Sequence, residues 1–276
     1  MDQQHYRPRS TSELIDGTIR IVRAHLGTLV PLALVGYLPM IVLFALLPIM
    51  MQRELPESSF VVAVLGLAIP FVFWFVVFEA AMVHAAGEAY RGRPTSAGAS
   101  LRFALARYWR VFFAFLTKYI APWLTVVAVL LTAVVLPDPL VGLLVIVAAV
   151  AAVLIFLRLM LLPATFLFED NDFGDGVRRS LTLTQGHKWR VFKALLLIYL
   201  IWFAIYMVFY IGVSFALLSN PFVAMIIGQI AGSLGYPLFA TVTALLYFDF
   251  RIRKEAYDIE LMSQSISAAA APSAAT

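Results

Sequence analysis

Three ionisable residues interrupt long apolar runs: Glu79, Lys118 and Arg158. An ionised side chain at mid-bilayer costs about 2.5–3.5 kcal/mol on insertion scales, so such residues pair or face a polar cavity. One reading is a buried polar cluster that binds a lipid phosphate or lines a small pathway, with Arg158 its principal residue. The other is snorkelling plus a structural ion pair that ties the second, third and fourth spans together. Measured from the expected span ends at ~1.5 Å per residue, each of the three lies within about two turns of the surface.

Other constellations carry less chemistry. His84 and Glu88 stand four apart, with Glu79 one turn earlier. That spacing serves a metal only with further ligands, and no HExxH or second His accompanies it, so an interfacial helix end is expected and no metal. The stretch EDNDFGDG superficially resembles a calcium loop, but counting from Asp170 puts Gly174 and Leu181 where ligands five and twelve belong. Capping of a helix by Asp172 or Asp175 is expected instead. Gln229 and Ser233 read as interhelical hydrogen-bonding residues or cavity lining. Trp109–Arg110 and Trp189–Arg190 read as interfacial anchors, with a phosphate clamp as the alternative. Their basic surroundings attract anionic lipid in either case. No Ser/His/Asp set, phosphate-cradling glycine loop or acid/base carboxylate pair is visible, so neither an enzyme nor a cofactor is expected.

The elements that position these residues are membrane spans. The chain is 62% hydrophobic and 13% charged, with a mean hydropathy of +0.91. Soluble domains carry about 25% charged residues, and apolar runs of 18 or more residues recur here, long enough to cross about 30 Å of hydrocarbon. The absence of cysteine excludes disulfides, thiol catalysis and cysteine-bound metal. No loop is long enough to form a basic nucleic-acid-binding domain.

Six spans are expected, near 27–51, 60–86, 111–135, 140–162, 191–218 and 222–248. The first carries Pro31, Pro39 and Pro48, which implies a kinked helix packed on others. Gly228 and Gly232 have small-xxx-small spacing, which permits close helix approach. Short amphipathic helices precede the first, third and fifth spans, near 11–26, 95–110 and 175–189. Thr11 or Ser12 is the expected cap of the first, Thr95 or Ser96 of the second. Residues 1–10 are polar and read as a loosely ordered leader, not a signal peptide. A charged exit helix follows at 249–262, then a tail at 263–276 with the composition of disorder.

A repeat organises these elements. Ser180 to Phe192 read SLTLTQGHKWRVF, and Ser100 to Phe112 read SLRFALARYWRVF; Gly17 to Leu29 form a looser copy. The fold expected is therefore an all-α membrane protein of three parallel units, about 11–86, 95–162 and 175–248, each an amphipathic interfacial helix plus a transmembrane hairpin, in one domain over 1–262. Of 20 Lys+Arg, only Arg53 falls in an odd-numbered loop; Lys118 and Arg158 lie within spans, and the rest flank the other side. The positive-inside rule then makes both termini cytoplasmic.

Three stretches carry a family resemblance: Arg158-Leu-x-x-x-Pro163, Arg179-Ser-Leu-x-Leu-Thr-x-Gly-x-x-Trp-Arg190, and the run YFDFRIRKEAYDIEL from Tyr247 to Leu261. With them, the chain from about 11 to 262 resembles the bacterial glycerophosphoryl diester phosphodiesterase membrane domain family. The resemblance implies a six-span module of the bacterial inner membrane. The soluble phosphodiesterase to which some members are fused needs a His-Arg-Gly start and a metal-binding carboxylate set. No His here precedes an Arg, so that activity is not expected to carry over.

The function expected from these readings is a non-enzymatic scaffold or assembly module that engages anionic lipid, another membrane protein or a second copy of itself. The alternative is a transporter or channel for a lipid or other amphiphile. The two differ in one feature. A carrier requires a polar path, and the outer halves of the spans offer little beyond Tyr37, Gln229 and Ser233.

Overall fold

Eleven helices and no strand account for the residues described in this computed structural model, which are 8–52, 57–133, 138–169 and 171–256. Six stretches are long and apolar enough to cross a membrane, and the protein is a multi-pass, all-helical membrane protein. The turns expected at 52–59 and 136–139 lie partly outside the described residues, and the exit-helix residues beyond Ala256 and the tail lie wholly outside them.

The short helices are α1 (Thr11–Ala24), α4 (Ala97–Ala106) and α8 (Phe173–Thr184). Ser10 caps α1 in place of the expected Thr11 or Ser12, one position further out. Its hydroxyl accepts from the Glu13 N–H at 3.2 Å, while Glu13 accepts from the Ser10 N–H at 2.7 Å. Ser96 caps α4 through the Ala99 N–H at 3.2 Å. Asp172 occupies the N-cap position of α8 without a side-chain capping bond, and Asp175 sits in its first turn, where a carboxylate favours the helix dipole.

Each short helix ends at a one- to three-residue break, at His25, at Arg107, and at Gln185–His187 with Gly186 in the left-handed region at φ +81°. A long helix follows each break: α2 (Leu26–Gln52), α5 (Tyr108–Ala133) and α9 (Lys188–Ala216). The Trp-Arg-Val-Phe segments therefore open the long helices and do not close the short ones.

The return helices are α3 (Glu57–Tyr90), α6 (Asp138–Leu159) and α10 (Pro221–Ser233). The last two do not run straight through. α6 breaks at Met160–Leu161 and resumes as α7 (Leu162–Phe168); α10 breaks at Leu234–Gly235 and resumes as α11 (Tyr236–Glu255). Pro163 and Pro237 follow the breaks at first-turn positions, where a missing N–H costs no helical bond.

Burial separates centre from rim. In the most apolar 18-residue stretch of the α3 span 56% of residues are buried, against 11% in the corresponding stretches of α6 and α9, whose outward faces are apolar and suited to lipid. α3, α7 and α11 touch pairwise and form the centre at the end that carries the short helices, called here the charged end. Tyr247, Phe248 and Phe250 of α11 are fully buried there. Hairpins meet along three seams, α3 on α5, α6 on α9, and α10 on α2. Short helices lie across the return helices: α4 on α3, α8 on α6 and α7, and α1 on α11.

Two carboxylates, the buried Asp249 and the half-buried Glu169, lock the charged end. Asp249 accepts from the Arg9 backbone N–H at 2.8 Å and from Arg253 Nε at 2.9 Å, and Arg190 Nη2 lies 3.1 Å away. Glu169 accepts from Arg179 Nε at 2.8 Å, from the Tyr247 hydroxyl at 2.7 Å and from Asn171 at 2.7 Å.

Candidate functional site

A cavity of about 550 Å³ lies between α3, α5, α6, α9 and the α10–α11 break. Its walls are mostly apolar and aromatic: Phe78, Phe156, Phe192, Trp202 and Phe239. The charged side chains of its lining, Glu79 and Lys118, meet on one wall. Lys118 Nζ donates to Glu79 Oε1 at 2.5 Å, and the Tyr119 hydroxyl donates to Glu79 Oε2 at 3.3 Å. Lys118 is only 2% exposed, yet the ammonium also stands 4.8 Å from the Tyr119 ring and 5.9 Å from Phe156. The ring faces favour the cation where water cannot.

Tyr236 opens α11 and joins the same wall. Its hydroxyl pairs with Tyr37 of α2, and its ring meets Tyr37 at 5.1 Å and Phe75 and Phe78 at 5.5 Å. The helix break at Leu234–Gly235 makes room for this ring and for Trp202. A Cβ added at Gly235 would stand 2.4 Å from Trp202 Nε1. Trp202, Tyr206 and Tyr210 follow at helical spacing on α9, with centroids 5.1 and 5.7 Å apart, against Gly235, Gly232 and Gly228. The small-xxx-small stripe thus receives aromatic rings of α9. Ser233 bonds within its own helix, to the Ile230 carbonyl at 2.7 Å, and not across helices.

The mouth lies where α6 and α9 part. Val153 and Tyr199, both lining residues, are each 48% exposed on the outward faces of these helices. That side faces hydrocarbon, so access is lateral. Lengthwise, the cavity is confined to the charged half of the bundle: on α9 its lining runs from Phe192 to Trp202, while the helix continues to Ala216, about 20 Å further at 1.5 Å per residue.

Glu79 and Lys118, singled out in the sequence, come together in this wall. Their helices extend further than expected, so each lies about three turns from the charged end of its helix, not two. Arg158 does not join them. It is absent from the lining although Phe156 and Leu157 belong to it. Its carbonyl instead accepts from Ser180 at 2.9 Å and Thr184 at 3.3 Å, joining α6 to α8, and its buried Nε has no hydrogen-bond partner among the described residues. Trp109, Arg110 and Trp189 are exposed at the starts of α5 and α9, whereas Arg190 turns inward to Asp249. His84 stacks on Phe103 at 3.9 Å and lies 3.2 Å from the Ser100 hydroxyl, which joins α3 to α4. Tyr119, Tyr236 and Trp202 were not singled out by sequence reasoning. Tyr119 was accessible as the neighbour of Lys118. The other two follow from the α10–α11 break, which nothing in a continuous apolar run announces.

No family model, curated protein or solved structure matches the chain. The site is therefore interpreted from its own geometry.

Proposed function

We propose that this protein binds an amphiphile from the bilayer, with the tail in the aromatic cavity between α6 and α9 and the polar head against Lys118, Glu79 and Tyr119. The observation that carries this reading is the cavity itself. Its volume is that of a ligand pocket, about 300–1,000 Å³, its walls are apolar, and its one charged pair sits at depth. The lateral mouth suits a ligand dissolved in lipid. This is the carrier-like alternative among the sequence expectations, moved from Arg158 to Lys118. A channel is less well supported, because the lining stops at Trp202.

The three-unit architecture belongs to the same proposal. Each seam joins the return helix of one unit to the first long helix of the next, and the α10–α2 seam closes the ring. Each short helix lies on the return helix of the preceding unit, including α1 on α11. Cytoplasmic termini, a bacterial inner membrane and membership of the glycerophosphoryl diester phosphodiesterase membrane domain family remain part of the reading on sequence grounds. One observation favours a surface role as well: Trp109 and Trp189 project from the charged end, where tryptophan and basic residues hold a protein to anionic lipid.

Native mass spectrometry in mild detergent tests the cavity. Wild type and Arg158→Ala are expected to carry a bound phospholipid, and the charge-balanced Glu79→Gln/Lys118→Met variant to lose it. Absence of lipid from wild type, or retention by the double variant, overturns the proposal.

A further inference from the structure

We infer that the cavity takes an anionic headgroup together with one proton: the anion replaces Glu79 on the Lys118 ammonium, and Glu79 becomes a neutral acid. The inference rests on the amphiphile-binding reading above and goes beyond it to the charge of the ligand and the coupling of its binding.

In the empty site one cation faces one anion at 2.5 Å, and Lys118 is almost wholly withdrawn from water. Uncompensated charge in a low-dielectric interior is far more costly than a paired one. An anionic head that reaches Lys118 would leave two anions on one ammonium. A second negative charge beside a carboxylate disfavours its charged form. One proton taken from water onto Glu79 restores neutrality: the site holds one cation and one anion before binding, and one cation, one anion and one neutral acid after it.

The surroundings of Glu79 permit both forms. From α5 it faces Lys118 and the Tyr119 hydroxyl; from α11 it faces Tyr236, which is paired in turn with Tyr37 of α2. On its own helix His84 and Glu88 lie further toward the charged end, where His84 bonds Ser100 of α4. Among the described residues α1, α4 and α7 give Glu79 no hydrogen bond or ion pair. Among the described residues Lys118 is the cation that pairs with Glu79, which is what makes loss of Lys118 decisive. A tyrosine hydroxyl both donates and accepts. Tyr119 donates to the carboxylate and accepts from the acid, so Oε2 keeps its partner in both states.

The test uses the full chain in detergent micelles with short-chain phosphatidylglycerol, whose phosphodiester keeps one negative charge from pH 5.5 to 8, and short-chain phosphatidylcholine as the zwitterionic comparison. Calorimetric titration in two buffers of different ionisation enthalpy counts protons taken up per ligand. Wild type is expected to take up about one proton with phosphatidylglycerol and to bind it up to about tenfold more weakly per unit rise in pH, the linkage limit for one proton. Glu79→Gln is expected to bind it with no proton uptake and no pH dependence, and Glu79→Asp to keep both. Binding by wild type with no proton uptake and constant affinity overturns this inference and leaves the cavity reading intact. Failure of wild type to bind either lipid at any pH overturns the cavity reading itself. The wild-type proton count stands even if a variant does not fold.

Discussion

The backbone N–H of Arg9 donates to Asp249 Oδ1 at 2.8 Å, joining residues 240 positions apart. This bond ties the lead-in to α1 onto α11 and closes the ring of helices at the charged end. Arg190 and Arg253 converge on the same buried carboxylate. Removing one partner of a buried charge network costs about 3–5 kcal/mol, because the remaining charges lose their compensation. Asp249→Ala is expected to lower the thermal unfolding midpoint in detergent strongly, and Asp249→Asn by less, since the amide oxygen still accepts. Equal midpoints for Asp249→Ala and wild type would remove Asp249 from the list of residues that hold the bundle closed.

Glu169 supplies a pH dependence of defined sign. Burial raises the affinity of its carboxyl for protons, but hydrogen bonds from Arg179, Tyr247 and Asn171 outweigh that and hold it below the ordinary glutamate value of 4.5. Arg179, bridging Glu169 and Glu255, is held more firmly charged than usual. A carboxyl with a depressed folded-state value stabilises the fold above its unfolded value and loses that contribution as pH falls through the folded one. The unfolding midpoint is expected to drop as pH falls below about 4.5, and Glu169→Gln is expected to flatten that part of the profile while lowering stability at neutral pH. A wild-type profile flat through acid pH would contradict this.

The fold was largely legible because membrane spans write their length and hydropathy directly into sequence. The repeated Trp-Arg-Val-Phe segments marked the third and fifth spans, and an ionisable residue in each of the second and third spans marked the wall of the cavity. What the sequence concealed was geometry across helices. Arg158 stood ahead of Lys118 as the expected principal residue, but the break after Leu159 and the bonds of its carbonyl to α8 leave it outside the lining to which its neighbours Phe156 and Leu157 belong. Likewise Gly228 and Gly232 have the spacing of a helix-packing motif, and only the α9 partner shows that they accommodate Tyr210 and Tyr206. Spacing specifies which face a residue is on, not which neighbour fills the space.

The glycines of the α10–α11 break give a paired test. At Gly235 an added methyl would lie 2.4 Å from Trp202 Nε1, whereas at Gly232 the nearest atom is a Tyr206 carbon at 3.8 Å, ordinary contact. Gly235→Ala must displace the indole that lines the cavity, and overpacking of this kind costs about 1–3 kcal/mol. Gly232→Ala is expected to be neutral, or to stabilise slightly through the roughly 1 kcal/mol preference of helices for Ala over Gly. Comparison of the two unfolding midpoints checks the difference, and the same variants assayed for bound lipid should rank in the same order. A Gly235→Ala protein as stable as Gly232→Ala would mean that Trp202 moves freely and does not define the cavity wall.

The Glu79–Lys118 pair predicts a reversal on combining two substitutions. Lys118→Met leaves the Glu79 carboxylate with only the Tyr119 hydroxyl donating to it among the described residues. The loss expected is that of a broken buried pair, about 3–5 kcal/mol. Adding Glu79→Gln removes the stranded charge, so the double variant should regain most of the stability lost by the single one. Buried ion pairs are often no more stable than well-packed neutral replacements, because desolvating two charges offsets much of their attraction. The decisive measurement is the set of four unfolding midpoints at neutral pH. Additive losses, with the double variant the least stable of the four, would show that the two side chains do not interact. Recovery in the double variant together with loss of bound amphiphile would separate the two roles, with packing supplied by the aromatic walls and recognition by the charges.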